Sequence, residues 1–211
     1  MDNYQETINT FDKHASGYQE KYMDVSHYGD SLDYLLNLLA PNPSILEIGC
    51  GPGNVTRYLL NKRDDLHILG TDMAPKMVEL ASANNPEARF LLMDAREIDK
   101  TKGKFDAVLS AFILPYLSRE DVDKLFSDMA ALLNERGILY ISTMEDEYSK
   151  SGYQVSSDGK DRCFQYFHSA DDLQSRLEKS GFELIYQKRQ VFPPEGVVLA
   201  TDLIIIARKR E

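Results

Sequence analysis

Residues 45–54 read Ile45-Leu46-Glu47-Ile48-Gly49-Cys50-Gly51-Pro52-Gly53-Asn54, in which three glycines at alternate positions follow a short apolar run. The apolar run is typical of a buried strand, and the residues after Asn54 follow helical spacing. Glycine permits tight turns and lets a backbone approach a ligand closely. A helix N-terminus adds unpaired N–H groups and the positive end of a dipole. This segment therefore predicts a ligand-binding loop between a strand and a helix.

Strands and helices alternate on the C-terminal side of this loop. Pro75 suits the first position of one helix, and Gly137 is expected to end another. Such alternation implies a parallel sheet with helices on both faces, the doubly wound α/β arrangement. We predict strands at residues 44–48, 68–71, 89–93, 105–110 and 138–143.

The C-terminal part of the chain has two β runs in succession. Ser169 opens a Ser-x-x-Asp capping pattern before a helix, and β runs at residues 182–191 and 199–208 follow. The short connection between these runs, which contains Pro193-Pro194 and Gly196, predicts a hairpin. We therefore expect a Rossmann-like sheet of seven strands, mostly parallel, with an antiparallel last strand.

The length of 211 residues favours a single domain. Residues 1–43 contain five tyrosines and a leucine-rich helix, and we expect a helical cap that belongs to the same domain as residues 44–211. Residues 144–168 are polar and rich in aromatic side chains. Because irregular segments longer than about 15 residues are often functional lids, we predict a substrate loop there.

Charge and cysteine content argue against several classes of function. The chain has 24 basic and 34 acidic residues, a net charge of −10, whereas nucleic-acid and anionic-membrane binding need clusters of Lys and Arg. Two cysteines are too few for a disulfide framework, and the first residues show no signal-peptide pattern. We expect a cytoplasmic monomer or homodimer with no metal and no nucleic-acid or membrane partner.

The glycine spacing narrows the class of ligand. The dinucleotide pattern G-x-G-x-x-G is met at Gly49 and Gly51, but its last position is Asn54. The charge of Glu47, just before the loop, would oppose a pyrophosphate and suit a cationic or ammonium group. Asp72 follows Gly49 by 23 residues, where an acidic residue accepts hydrogen bonds from ribose hydroxyls.

Four motifs occur in order, and together they are specific. They are Glu47-Ile48-Gly49-Cys50-Gly51-Pro52-Gly53-Asn54, Thr71-Asp72-Met73-Ala74, Met93-Asp94-Ala95 and Phe105-Asp106-Ala107-Val108-Leu109-Ser110. On these motifs the sequence resembles the class I S-adenosylmethionine-dependent methyltransferases. The resemblance is strong over residues 44–143, extends to about residue 208, and implies that residues 44–211 are a methyltransferase domain. The sheet order of that family, with its antiparallel strand, agrees with the predicted hairpin.

The resemblance implies roles for the residues of the first motif. Gly49, Gly51 and Gly53 would shape the loop beside the methionine part of S-adenosylmethionine, and Cys50 and Asn54 would also bind the cofactor. Glu47 would order that loop or the ammonium group of the cofactor. For Cys50 the alternative is a small residue packed within the loop.

The resemblance also implies roles at the ends of the next two strands. Asp72 would hold both ribose hydroxyls, and Met73 would pack on the adenine. Asp94 would accept a hydrogen bond from the adenine amine, and the Ala95 N–H would donate to the ring. Two alternatives stay open: Asp72 could be only a helix cap, and Asp94 only a solvated turn residue.

The reacting end of the cofactor would lie beside Ser110 and Ala111. Tyr18 would close over the cofactor, because Phe11-Asp12-x-x-Ala15-x-x-Tyr18 resembles the start of many small-molecule members of the family. Methyl transfer depends mainly on alignment, and a base is needed only where the acceptor must lose a proton. Candidate bases, each of which could instead only pack, are Tyr166 and His168, Tyr153 nearby, and His14, Tyr18, Tyr22 and His27 in the cap.

These features predict a methyltransferase that uses S-adenosylmethionine and acts on a small molecule. The fourth strand is followed by Ala111-Phe112-Ile113-Leu114-Pro115-Tyr116, without the Asn-Pro-Pro-Tyr motif of enzymes that methylate amino groups of nucleic bases or glutamine. Two other functions stay open. A nicotinamide-dependent oxidoreductase is disfavoured by Asn54 and Glu47, and a non-catalytic S-adenosylmethionine-binding module would lack an acceptor pocket.

Overall fold

The computed structural model describes residues 3–155, 161–192 and 200–211 of the chain. Its helices are α1 (Asn3–Tyr22), α2 (Gly29–Leu38), α3 (Asn54–Lys62), α4 (Pro75–Asn84), α5 (Arg119–Leu132) and α6 (Ala170–Lys179). Its strands are β1 (Ser44–Ile48), β2 (His67–Asp72), β3 (Arg89–Leu92), β4 (Phe105–Ala111), β5 (Leu133–Met144), β6 (Gly152–Val155), β7 (Arg162–Gln165), β8 (Phe182–Phe192) and β9 (Ala200–Lys209). Pro75 begins α4 and Ser169 caps α6, as predicted.

Seven of these strands form one sheet in the order β3-β2-β1-β4-β5-β9-β8. Strands β1 to β5 pair in parallel, whereas β9 runs antiparallel to both β5 and β8. The predicted Rossmann-like topology is therefore confirmed. The residues expected in the turn between β8 and β9, Pro193, Pro194 and Gly196, lie outside the described residues.

Successive side chains of the central strands fill two apolar cores, one on each face of the sheet. In β1, Leu46 enters the core that α5 and α6 complete, whereas Ile45 enters the core that α2 and α3 complete. Because both faces are covered, these strands read as continuous apolar runs rather than as alternating patterns. Each fully buried Leu, Ile or Val adds roughly 1.5–3 kcal/mol of stability, and this packing holds the ends of the strands in place.

Gly137 does not end α5, so that prediction is wrong. The helix ends at Leu132, and β5 pairs irregularly with β4 until its regular register begins at Ile138. Leu133 is buried in the core, and its burial draws the chain out of the helix before Gly137 is reached. The left-handed backbone conformation falls on Arg136, with φ 58°.

Segment 144–168 is not only a loop, because β6 and β7 form an antiparallel hairpin within it. This hairpin lies against α1, a single helix of 20 residues. Ion pairs join the two elements: Lys13 and His14 pair with Asp161, and Glu6 pairs with Arg162. Within the three described ranges, no helix has the length and apolar character needed to cross a membrane.

The other side of α1 docks on α4. Asp12 accepts a hydrogen bond from the backbone N–H of Lys76, in the first turn of α4, at 2.8 Å. Asn84, the last residue of α4, donates to Gln19 at 2.7 Å. Ala15 is buried between these two contacts. The second half of the N-terminal helix is therefore fixed to both ends of α4.

Gly53 occupies a position that only glycine fits. Its φ is 80°, and a Cβ there would lie 2.2 Å from Nδ2 of the buried Asn85. Gly53→Ala should therefore destabilise the fold by about 1–3 kcal/mol, measured by urea unfolding. Gly17→Ala is the matched control, since it lies within α1 with nothing within 4 Å of an added Cβ, and it should stabilise by up to about 1 kcal/mol. Equal effects of the two substitutions would contradict this explanation.

Candidate active site

The glycine loop, residues 49–53, turns by placing its three glycines in the left-handed region, with φ of 69°, 52° and 80°. A Cβ on Gly49 would lie 2.9 Å from the side chain of Ile113, so the loop start is closely packed. A Cβ on Gly51 would meet only Tyr18, at 3.9 Å. The loop therefore presents the backbone of Gly51 to open space.

Asp72 ties this loop to the end of β2. Its Oδ2 accepts the N–H of Gly51 and its Oδ1 accepts the N–H of Ala74, both at 2.9 Å. Burial raises the pKa of Asp72, and backbone hydrogen bonds partly offset that rise. Each carboxylate oxygen has two acceptor positions, and the backbone of Gly51, Met73 and Ala74 uses part of these four, which leaves acceptor capacity for a ligand. Ala74 is the N-cap residue of α4 and no side chain caps this helix, so Asp72 holds the approach to α4 without being its cap.

A first cavity, called cavity A, lies between α1 and the carboxyl ends of β1, β2 and β4. It contains about 720 Å³ of empty space, part of it open to solvent. Apolar side chains from α1, α4 and the strand ends form most of its wall, and Asp72 is its carboxylate. The predicted site residues that line it are Tyr18, Gly49, Gly51, Asp72, Met73, Ala95 and Ala111.

A second cavity, called cavity B, lies on the other side of the glycine loop and contains about 1090 Å³ of empty space. The predicted site residues that line it are Tyr18, Glu47, Gly49, Cys50, Gly51, Asn54 and Ala111. Cavities A and B therefore share Tyr18, Gly49, Gly51 and Ala111, and also Phe112 and Tyr116. The two cavities meet at the glycine loop and at the end of β4.

Aromatic side chains of α1 cover this junction. The ring of Tyr18 lies 4.6 Å from that of Tyr22 and 5.8 Å from that of Phe11, measured between centroids. Phe11 in turn lies 5.1 Å from Tyr116. Burial raises the pKa of Tyr18, so its hydroxyl stays protonated. Asn54 fixes the end of α1, since its side chain donates to the carbonyl of Tyr22 at 2.9 Å.

Glu47 is a buried carboxyl at the bottom of the loop, with 1% of its surface exposed. Burial raises its pKa to about 7, a hydrogen bond from Thr56 opposes that rise, and the charge of Asp72 adds to it. Burial also raises the pKa of the Cys50 thiol. The thiol therefore stays protonated, as expected of a packed and unreactive cysteine. Glu47 therefore changes charge close to neutral pH.

Asp94 and Ser110 line neither of these cavities. Asp94 accepts hydrogen bonds from Tyr4 at 2.9 Å and from the guanidinium and backbone of Arg96. Burial acts to raise the pKa of Asp94, but the Arg96 and Tyr4 hydrogen bonds outweigh it, so the pKa lies below its usual value. Ser110 is fully buried within β4. In this arrangement Tyr4 and Arg96 hydrogen-bond to the Asp94 carboxylate, which was expected to accept a hydrogen bond from the adenine amine.

The candidate bases Tyr166 and His168 also lie outside cavities A and B. His168 is fully buried, with its Nε2 3.2 Å from the carbonyl of Leu117, and burial lowers its pKa. Tyr166 packs against Tyr148 and Phe164. Both side chains thus contact other parts of the fold, and their role as bases stays a prediction.

The remaining candidates divide between the surface and cavity B. His14 pairs with Asp161, and Tyr153 donates to Asn3 at 2.7 Å. Tyr22 and His27 line cavity B.

Sequence reasoning missed Tyr28 and Asp202, which also line cavity B. A signal was present, since Asp202 immediately precedes the apolar run Leu203-Ile204-Ile205-Ile206. A carboxylate at the start of a buried strand requires a partner or a function. Among the described residues, no group of three or more His, Cys, Asp or Glu could hold a metal ion.

Glu47→Gln tests the charge state at the bottom of the loop. The pKa of Glu47 is about 7 in the folded chain, against an ordinary value of 4.5. Between these two pH values, Glu47 keeps its proton in the folded chain and loses it in the unfolded chain. The stability of the wild type relative to the variant should therefore fall by about 2–3 kcal/mol from about pH 5 to about pH 8. Urea unfolding of both proteins across this range measures the difference. The exposed Glu79→Gln is the control substitution, and a flat Glu47 difference would contradict the assignment.

Comparison with known proteins agrees with the resemblance. A family model for a methyltransferase domain matches residues 45–137. A bifunctional biotin biosynthesis protein of Bordetella avium is 31% identical over 148 residues, which cover 69% of this chain and 31% of that protein. An uncharacterized methyltransferase of Bacillus cytotoxicus is 25% identical over 200 residues, 90% of this chain and 92% of that protein. The crystal structure of magnesium protoporphyrin IX methyltransferase from Synechocystis PCC 6803 with bound S-adenosylmethionine has a TM-score of 0.75 at 18% identity, over 99% of this chain and 98% of that one.

These similarities differ in extent. The chain spans less than a third of the length of the Bordetella protein, but most of the length of the Bacillus protein. The likeness to the Synechocystis enzyme, at 18% identity, shows a common fold. A methyltransferase domain thus spans residues 45–137, and the order of its motifs and its fold agree with the predicted class I S-adenosylmethionine-dependent family.

Proposed function

We propose that this protein transfers a methyl group from S-adenosylmethionine to a small-molecule acceptor. The observation that carries the proposal is the pair of cavities that meet at the glycine loop. A two-substrate transfer needs two adjoining sites, and a binding-only module needs one. We assign the adenosyl part of the donor to cavity A and the acceptor to cavity B.

The residues of cavity A fit the adenosyl group. Asp72 keeps acceptor capacity beyond its backbone hydrogen bonds, which suits ribose hydroxyls. Met73 and Ala95 offer apolar surface for a planar base. The open space at Gly51 allows a ligand to approach the backbone closely. Glu47, on the other side of the loop, suits an ammonium group better than a pyrophosphate, which disfavours the nicotinamide alternative.

The residues of the chain act mainly by positioning. When bound, S-adenosylmethionine supplies a methyl group on a sulfonium, whose leaving group is already activated. Gly49, Ala111 and Phe112, which line both cavities, would set the line of approach between acceptor and donor. Alignment of this kind is worth roughly 7–11 kcal/mol. Ser110, Asp94, Tyr166 and His168 line neither cavity, and this proposal does not depend on them.

The N-terminal segment 1–43 acts in this proposal as a cap on the same domain as residues 44–211. α1 covers cavity A, and Gln165 at the end of β7 lines cavity B. The ion pairs between α1 and the β6–β7 hairpin join the two covers. We therefore propose that segment 144–168 is the substrate loop and closes together with α1.

Asp72→Asn tests the donor site. The substitution removes a charged acceptor from two ribose hydroxyls, so binding of S-adenosylhomocysteine should weaken by about 1.5–3 kcal/mol, or roughly 10- to 100-fold in Kd. Calorimetric titration measures this loss, and NAD should give no saturable heat with either protein. The exposed Asp64→Asn, between α3 and β2, is the matched control. Unchanged affinity in Asp72→Asn would leave Asp72 with only its loop-tying role.

Amide exchange tests the cap. A lid that excludes water should close when the donor site is filled, so exchange in residues 10–28 should slow on addition of S-adenosylhomocysteine. α5, which packs in the core away from both cavities, provides the internal control. If α1 exchanges at the same rate with and without the ligand, it is a fixed surface helix and not a lid.

A further inference from the structure

The far end of cavity B is not used by the proposed donor site. It is formed where β5 ends and β9 begins, since Met144 pairs with Asp202 in the antiparallel register. Tyr28, between α1 and α2, lies against the same end. Because β9 is antiparallel, its first residues lie at the carboxyl edge of the parallel strands, beside the glycine loop.

Asp202 is a buried carboxylate with an uncommitted oxygen. It has 2% of its surface exposed, and Tyr28 donates to its Oδ2 at 2.6 Å. Within the described ranges, its Oδ1 receives no hydrogen bond and no Lys or Arg pairs with it. Burial raises the pKa of Asp202, while the hydrogen bond from Tyr28 and the nearby His27 oppose that rise. A buried carboxylate is costly unless it is paired, so this arrangement leaves room for a cationic partner.

The walls around Asp202 also favour a cation. Aromatic rings of Tyr18, Tyr22, Tyr28, Phe112, Tyr116 and Tyr140 line cavity B. The faces of such rings attract ammonium groups, by about 0.5–2 kcal/mol per contact. The described lining residues include acidic side chains but no Lys or Arg. Among the described lining residues only His27 could carry a positive charge, so a carboxylate-bearing acceptor would meet mainly like charge.

We propose that the acceptor is a small amine, that Asp202 binds its ammonium group, and that the methyl group is transferred to nitrogen. This inference rests on the proposed function, because it assigns a substrate class to the same pair of cavities. Asp202 touches the substrate in this arrangement. Tyr28 is a positioning residue, since it acts by holding the Asp202 carboxylate through its hydroxyl.

The reaction balances with no further reactant. The ammonium group of the acceptor first gives one proton to Asp202, which frees the nitrogen lone pair. The acceptor nitrogen then forms a bond to the methyl carbon, and the bond between that carbon and the sulfonium sulfur breaks with its electron pair staying on sulfur. The product nitrogen carries the positive charge that the sulfur has lost, and Asp202 releases its proton to water.

The test begins with the donor site, so that two failures can be told apart. S-Adenosylhomocysteine is titrated first, and absence of binding would overturn the proposed function itself. With that ligand saturating, three small amines are then titrated by calorimetry: phenethylamine, cyclohexylmethylamine and n-butylamine. The alcohol and the carboxylate with the same carbon skeleton are titrated beside each amine. We expect at least one amine to bind at least about tenfold more tightly than its alcohol, and no carboxylate to bind.

Substitutions at Asp202 and Tyr28 then test whether these residues bind the amine. Asp202→Asn keeps the shape of the side chain and should weaken amine binding at least about tenfold, with S-adenosylhomocysteine affinity unchanged. Tyr28→Phe keeps the ring but not the hydroxyl, so it should weaken the amine while leaving the alcohol unaffected. Asp64→Asn should change neither. The inference is overturned if no amine binds at about 10 mM although S-adenosylhomocysteine does, if the carboxylates bind better, or if Asp202→Asn binds the amine normally.

Discussion

The hydrogen bond from the Gly51 N–H to the Asp72 carboxylate is the interaction on which the site depends. It joins the loop after β1 to the end of β2, and it holds the glycines in a conformation that other residues rarely adopt. Both cavities take part of their wall from this loop. A shift of the loop would therefore change cavity A and cavity B together.

Three buried carboxyl groups lie at this edge of the sheet. Glu47, Asp72 and Asp202 all have pKa values raised by burial, and among the described residues none of them has a Lys or Arg partner. A fold selected only for stability would not keep three such groups close to one cavity system. Natural proteins accept such costs at sites where function needs a strained or charged environment. The uncompensated carboxylates are thus the clearest physical sign that this edge is functional.

Local patterns were sufficient to predict the sheet and the glycine loop. Strand boundaries followed from apolar runs, and the turn followed from Gly49, Gly51 and Gly53, because both depend on neighbours in sequence. Asp94 was different, since its partner Tyr4 lies 90 residues away on a helix whose docking no local pattern shows. Asp202 reaches cavity B only through the pairing of β5 with β9, and Gly137 was overridden by the burial of Leu133. Long-range packing decided each of these positions.

Tyr18 makes the two cavities depend on the same helix. It belongs to α1, and it lines both cavity A and cavity B. Because α1 is docked on α4 and tied to the β6–β7 hairpin, its position is set by elements far apart in the sequence. A change anywhere along these contacts would alter access to cavity A and to cavity B at the same time.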